Sequence, residues 1–390
     1  MGNPVYLDHA ATTPLDPEVR AALAPYLESE FGNPSSRHRL GQRAADAVES
    51  ARREVARALG CRPAEVVLTS GGTEANALGV LGGARARARR GRHVVVGPTE
   101  HACVRESARA LATEGFEVAT ARLDAGGALD LDHLASLLRS DTVLVAQMLV
   151  QNEFGSVYPL ARVARLVRAH APAAALHVDA VQALGKLELS LAALGADTVA
   201  VSAHKVHGPK GAGALAVAAD ARLAPLIPGG GQERGLRGGT ENVPAIVGFG
   251  AAARLARERI GETRARCQAL RARLAVGLAR IEGARLLEPG SPGAPGEQVA
   301  PAIAAFAVPG GAAEGAMHHL EQRGVVVGAG SACQARKQET SPALLALGLS
   351  PEEARSVLRI SFARTTTPED VDRALEALLE VRRSLAGARR

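Results

Sequence analysis

Three residue types decide what chemistry this chain of 390 residues can support: a lysine, an aspartate and a cysteine, each set apart by its neighbours. Lys205 is one of only four lysines and sits just after the apolar run Thr198–Ser202, with His204 beside it. A lysine that must form a Schiff base has to be partly desolvated and aimed into a pocket, which lowers its pKa and frees its amine. The alternative for a single lysine is a surface ion pair. Asp179 ends the run Leu176-His177-Val178-Asp179. A carboxylate buried at a strand end is costly unless it meets a cation, such as a protonated pyridine nitrogen, or caps a helix. Cys333 lies among small residues, Gly328-Ala329-Gly330-Ser331-Ala332-Cys333, after the apolar run Val325–Val327. Small neighbours leave its sulfur accessible, and a thiolate is the nucleophilic form. Cys61, Cys103 and Cys267 fall in or beside helical or apolar patterns, where packing as a small hydrophobe is the simpler role.

A fourth feature, Ser70-Gly71-Gly72-Thr73-Glu74, joins a strand to a helix. Its glycines let backbone N–H groups approach a phosphate at a helix N-terminus, though a Gly-rich turn with a Thr is also ordinary helix initiation. Neither the P-loop spacing nor the dinucleotide G-x-G-x-x-G is present.

These residues need a scaffold. From about 60 to 220 short apolar runs alternate with helical patterns, giving expected strands at 65–69, 93–96, 116–121, 142–148, 176–179, 198–202 and 212–217. Helices are expected from Thr73, over 104–113, around 130–139 and over 160–170. Doubly apolar strands in βα alternation imply a largely parallel sheet covered on both faces. In such sheets ligands bind beyond the carboxyl ends of the strands. Ser70–Thr73, Thr99-Glu100-His101, Gln151-Asn152-Glu153, Asp179–Gln182 and Ser202–Lys205 all lie there and converge on one rim. A long Arg/Glu/Ala-rich helix is expected from Ala245 to about Glu282, then a Pro/Gly-rich loop, then a smaller α+β unit closing with a helix from Pro368. The expected division is a large α/β domain over 16–250 and a small C-terminal α+β domain over 251–390, with 1–15 packing against the smaller one.

Composition narrows the function. Hydrophobic content of 47% and charged content of 22% are those of a globular protein. The net charge of +6 invites a nucleic-acid reading, but the basic residues are dispersed among Glu and Asp, and only 2% of residues are aromatic. Single-strand binders want aromatic stacking platforms, so direct nucleic-acid binding is not expected. Four cysteines without a C-x-x-C argue against a disulfide scaffold or a zinc site, and no metal is expected. The N-terminus lacks a signal-peptide pattern and no stretch approaches a membrane span, so a cytoplasmic protein is expected.

With these residues in hand, the chain resembles the cysteine desulfurases of the class V aminotransferase family, pyridoxal 5'-phosphate (PLP) enzymes of fold type I. The likeness is nearly full length. It runs through Tyr6–Pro14, Phe31–Ser36, Thr69–Asn76, Thr99–His101, Gln151–Gly155, His177–Gln182, Ser202–Lys205 with Gly208–Gly211, Arg237–Thr240, Gly330–Cys333 and Arg359–Phe362. The resemblance implies a seven-stranded large-domain sheet, PLP on Lys205, and Lys205 as carrier of the substrate's α-proton. His101 would stack on the pyridine ring and serve as acid or base. Asp179 would pair with the ring nitrogen, and Gln182 with the phenolic oxygen. Gly72, Thr73, Ser202 and His204 would hold the phosphate, joined by Thr240 from a second subunit, which implies a homodimer. Asn152, near the cofactor, and Arg359 would bind the substrate carboxylate, with Arg364 a second candidate. Cys333, on a loop spanning about 328–341, would take sulfur from L-cysteine as a persulfide, leaving L-alanine. It would then pass the sulfur to an iron–sulfur assembly scaffold or a tRNA-thiolation protein.

Two features depart from the pattern. The loop continues Gln334-Ala335-Arg336-Lys337-Gln338-Glu339, where mostly small residues and Ser or Thr would be expected, and the C-terminus ends soon after the last helix. A selenocysteine lyase or another class V PLP enzyme is the alternative activity. An aminotransferase has no use for the mobile thiol.

Overall fold

A computed structural model describes residues 4–288, 299–308, 312–330 and 340–387. Its thirteen strands are β1 Val5–Tyr6, β2 Val66–Thr69, β3 His93–Val96, β4 Glu117–Thr120, β5 Thr142–Ala146, β6 Ala175–Asp179, β7 Thr198–Ser202, β8 Gly213–Val217, β9 Arg285–Leu286, β10 Ile303–Ala307, β11 Val325–Val326, β12 Gly328–Ala329 and β13 Val357–Ser361. Seven of them form the central sheet, in the order β2-β8-β7-β6-β5-β3-β4. Only β8 runs against its neighbours, and the remaining contacts are parallel. The fold is α/β with a mostly parallel seven-stranded sheet, as the alternating pattern requires.

The burial of each strand follows its sequence. β2, β3, β5, β6, β7 and β8 are buried at every residue, which is why they read as unbroken apolar runs. β4, at the sheet edge, keeps its end residues exposed. The helix Arg39–Ala58 packs Ala44, Val48, Ala51 and Val55 inward at three- and four-residue spacing, an amphipathic stripe on the main core.

The helix after β2 continues from Gly72 to Ala86 through a π-helical stretch at Leu78–Gly82. There Gly79 crosses the His177 side chain so closely that a Cβ would stand 2.2 Å from its Nδ1. That close approach requires glycine.

One expected element is divided. Instead of a single helix over 245–282 the chain forms Val243–Glu258 and Ile260–Leu278, broken at Arg259. The first packs Ile246, Phe249 and Leu255 into the main core. The second packs Leu270, Leu274 and Leu278 into a separate core with Phe306, Ile360, Phe362 and Leu378. A straight helix could not serve both, and no proline marks the break.

The second core lies against an antiparallel sheet, β12-β13-β10-β9. The N-terminal strand reaches it: β1 pairs in parallel with β11, and Ser361 N–H donates to the Leu7 carbonyl. The next residues cross to the main sheet, where Thr13 N–H donates to the carbonyl of His204. Residues 5–13 therefore tie the end of β7 to the second sheet. Among the described residues no helix is long and apolar enough to cross a membrane.

Candidate active site

Because β2, β3, β5, β6 and β7 are parallel, their carboxyl ends share one rim, and the segments beyond them surround a cavity of about 270 Å³. Its walls include Gly72 and Thr73 after β2, His101 after β3, Asn152 after β5, Asp179 and Gln182 at the end of β6, and Ser202, His204 and Lys205 after β7. Arg359 arrives from β13 of the second sheet. The sequence thus brings together ten of its candidates. Thr240 is exposed and is not among the lining residues of its own chain's cavity. Arg364 pairs with Asp16 and lines a different, smaller cavity. Cys333 and the Arg336-Lys337 pair lie outside the described residues.

Asp179 is 5% exposed. Its two oxygens accept from Asn76 Nδ2 at 2.8 Å and from the Val181 N–H at 2.9 Å. Asn76 in turn accepts at Oδ1 from His177 Nε2 at 2.9 Å, and His177 Nδ1 lies 2.9 Å from Thr198 Oγ1. The direction of the Asn76 amide fixes the tautomer: His177 carries its proton on Nε2 and accepts the Thr198 hydroxyl at Nδ1. Burial drives the His177 pKa down to about 3, so the ring is neutral. Burial also raises the Asp179 carboxyl above its usual range, against the opposing pull of His101 and its hydrogen bonds. A carboxylate so placed gains most from a cation in the cavity. Asn76 and His177 went unnoticed as site residues in the sequence. The available signals were the period of two that puts His177 and Asp179 on one side of β6, and the helical turn that sets Asn76 behind Gly72.

His101 caps the helix Ala102–Thr113, its Nδ1 accepting from the Cys103 N–H at 3.2 Å, and Cys103 Sγ lies 3.0 Å from the same nitrogen. Burial pushes the Cys103 thiol up to about 12, so it is protonated and donates to Nδ1. The neutral imidazole then holds its own proton on Nε2, and burial lowers the pKa of the ring. Lys205 Nζ donates to the carbonyls of Ala10 at 2.7 Å and Ala11 at 2.8 Å. Gln182 Nε2 donates to the same Ala10 carbonyl at 2.8 Å. Arg359 is held by Asp8 Oδ1 at 2.7 Å and donates from Nη1 to the main-chain carbonyl of Asn152 at 2.8 Å. Its Nε is buried without a partner among the described residues. Asp8, the anchor of this arginine, lies within the Tyr6–Pro14 motif, where its type alone assigns it no role.

The donor set fits a phosphorylated aldehyde with a pyridine ring. Ser202 Oγ is buried with no hydrogen-bond partner among the described residues. The helix beginning at Gly72 has no side-chain cap, which leaves its first N–H groups for an anion. A Cβ on Gly72 would stand 2.8 Å from Val181 Cγ2 and 3.3 Å from the Ser202 Cβ, so a side chain there would fill this cradle. His204 and Lys210 line the groove alongside. In the same cavity the Asp179 carboxylate suits the ring nitrogen, and Lys205 brings the amine.

Glu100 precedes His101 in the chain and is hydrogen-bonded to Met148, a residue that lines the cavity. It is buried, accepts the Met148 N–H at 2.6 Å, and has a second oxygen without a partner among the described residues. Burial raises its pKa well above the ordinary carboxyl range. The folded state therefore binds the proton more tightly than the unfolded chain. This stability is complete below the unfolded pKa, near 4.3, and is lost progressively as pH rises above it. Glu100→Gln mimics the protonated form. Its melting temperature relative to wild type is expected to climb from pH 5 to pH 8, by on the order of 2 °C. Thermal unfolding of the two holoenzymes at both pH values checks this, and a difference that does not change with pH refutes it.

The comparisons agree with the geometry. The sequence profile of the family Aminotransferase class-V matches residues 5–374. Cysteine desulfurase IscS 1 of Archaeoglobus fulgidus is 39% identical over 374 residues, covering 96% of this chain and 95% of the relative. Among solved structures, a NifS-like protein superposes with a TM-score of 0.89 at 34% identity, covering 97% of this chain and 99% of that one. The structure of SspA in complex with cysteine gives a TM-score of 0.79 at 31% identity, over 93% of this chain and 99% of the other. Full-length likeness at this identity, on a rim already furnished with lysine, aspartate and phosphate cradle, places the protein: it belongs to the class V aminotransferase family and, within it, to the cysteine desulfurases, fold-type I enzymes that use pyridoxal 5'-phosphate.

Proposed function

We propose that this protein takes sulfur from L-cysteine, releases L-alanine and carries the sulfur as a persulfide on Cys333. The observation that supports this reading is the meeting of Lys205, Asp179 and His101 with Arg359 in one cavity. β12, which precedes Cys333 in the chain, sets Gly328 opposite Arg359. PLP, when bound, supplies an electron sink for negative charge at the substrate's α-carbon. Asp179, relayed to Asn76 and His177, keeps the ring nitrogen's proton in place. Gly72, Thr73, Ser202 and His204 hold the phosphate, and Gln182 faces the phenolic oxygen. Arg359 and Asn152 bind the substrate carboxylate. Lys205 Nζ accepts the α-proton, and His101, protonated on Nε2, is the neighbouring acid or base.

The sulfur step balances on the protein. The Cys333 thiolate attacks the substrate sulfur, the carbon–sulfur bond breaks with its electron pair going to the substrate carbon, and that carbon takes a proton. Cysteine and enzyme thiol become alanine and enzyme persulfide, with no external oxidant.

In this reading residues 16–250 form the PLP-binding domain, residues 251–390 the domain that presents the thiol, and residues 1–15 pack with the latter. Thr240, exposed in its own chain, completes the phosphate site of a partner in a homodimer. The persulfide goes to an iron–sulfur assembly scaffold or a tRNA-thiolation protein, and the setting is the cytoplasm. The test is an absorbance spectrum of the holoenzyme before and after L-cysteine, with alanine and persulfide assayed together and L-selenocysteine run in parallel. A visible band that shifts while alanine and persulfide rise in equal amounts is expected. A band that shifts with selenocysteine alone would reassign the substrate.

A further inference from the structure

Lys186 is a charged group for which the chemistry above has no use. It lies in the turn after β6, is 8% exposed, and its Nζ donates to Gln182 Oε1 at 3.0 Å. A buried ammonium normally meets a carboxylate. Here the charges that act on it are Lys205 and Arg359, both of like sign, and the Cys267 thiol. Across the small cavity it lines stand His9, His207 and the Asp16–Arg364 pair, whose carboxylate is already engaged. Burial lowers its pKa to about 7.

Its one hydrogen-bond partner among the described residues gives it a purpose. A glutamine amide looks nearly the same either way round, and its direction is set by its partners. The protonated amine of Lys186 has only hydrogens to offer, so it holds Oε1, and the amide nitrogen lies on the other side. That nitrogen gives one hydrogen to the Ala10 carbonyl, the carbonyl that also receives Lys205 Nζ. Its second hydrogen is left for the cavity that Gln182 lines. If the amide turned over, an oxygen would face the Ala10 carbonyl and the cofactor's phenolic oxygen.

We propose that Lys186 is a positioning residue: through the Gln182 amide it fixes an N–H donor toward the phenolic oxygen of the bound cofactor. The proposal rests on the PLP site described above. While Lys186 is protonated, the cation behind the amide favours the less protonated form of the lysine-bound cofactor and lowers the pH at which its visible band titrates.

The experiment is a pH titration of that band in wild-type, Lys186→Met, Lys186→Gln and Lys186→Arg holoenzymes. The Met variant is expected to titrate higher by roughly one pH unit, the Arg variant within about a third of that shift of wild type. Lys186→Gln keeps a polar group without the charge, so it decides the matter if the Met variant does not fold, and it too is expected to titrate higher. A neutral variant that binds PLP and titrates within about 0.2 units of wild type overturns the proposal. A wild-type protein that takes up PLP without any visible band overturns the cofactor site itself, and the proposal with it.

Discussion

Lys205→Ala is expected to abolish the visible absorbance of the cofactor-loaded protein and to lower alanine formation on the order of 10³-fold or more. Among the described residues that line the main cavity, Lys205 is the one lysine. Lys186 stands behind Gln182 and Lys210 along the phosphate groove, so neither amine replaces it. Losing it removes both the covalent attachment of PLP and the acceptor of the α-proton, two contributions that compound. PLP retention is expected to fall less steeply than activity, because Asp179 and the Ser202–Gly72 cradle are untouched. Lys205→Arg separates the two properties of the side chain. It keeps the cation near the Ala10 and Ala11 carbonyls but supplies no nucleophilic amine, so it is expected to lack the band just as Lys205→Ala does. Absorbance spectra and single-turnover alanine assays decide this. A normal band with full activity in Lys205→Ala would exclude the lysine.

The sequence disclosed the rim more readily than the supports beneath it. Strand ends are easy to find because unbroken apolar runs such as Val66–Thr69 and Thr198–Ser202 stop where the polar residues begin. Parallel order then places those residues together without any contact being known. The supports are of another kind. Asn76 and His177 act through an amide and an imidazole that look like ordinary helix and strand residues until a three-dimensional register sets them 2.9 Å apart. Asp8 anchors Arg359 across 351 positions of sequence, a distance no local pattern conveys. The helix break at Arg259 escaped for a related reason. The helical pattern continues through it, and the chain turns because its two halves serve different cores. Thr240 has the opposite character: it is exposed in its own chain, and its role toward another chain comes from the family resemblance alone.

Cys333→Ser is the second large effect: persulfide formation is expected to vanish and coupled alanine release to fall on the order of 10³-fold, while the cofactor band and its response to L-cysteine persist. Serine keeps the shape, but its hydroxyl carries almost no anion at neutral pH and cannot hold a sulfur–sulfur bond. The described residues before it show where its segment begins. β12 sets Gly328 opposite Arg359, and a Cβ on Gly330 would lie 3.6 Å from Glu153 Oε2, so the chain leaves the sheet at the cavity's edge. Three residues then span at most about 10–11 Å. The other thiols are poorly suited. Burial pushes Cys61 up to about 12 and Cys267 up to about 11, and neither is among the residues lining the cavity. Cys103 does line it, but its pKa is raised to about 12 and its hydrogen is directed to His101. Cys103→Ser is therefore expected to retain persulfide formation where Cys333→Ser loses it. Trapping the persulfide with an alkylating reagent and mapping the labelled peptide reads both variants at once. Label on the Cys103 peptide, surviving in Cys333→Ser, would move the nucleophile from the loop to the cavity wall, and His101, the proton's present acceptor, would then be its base.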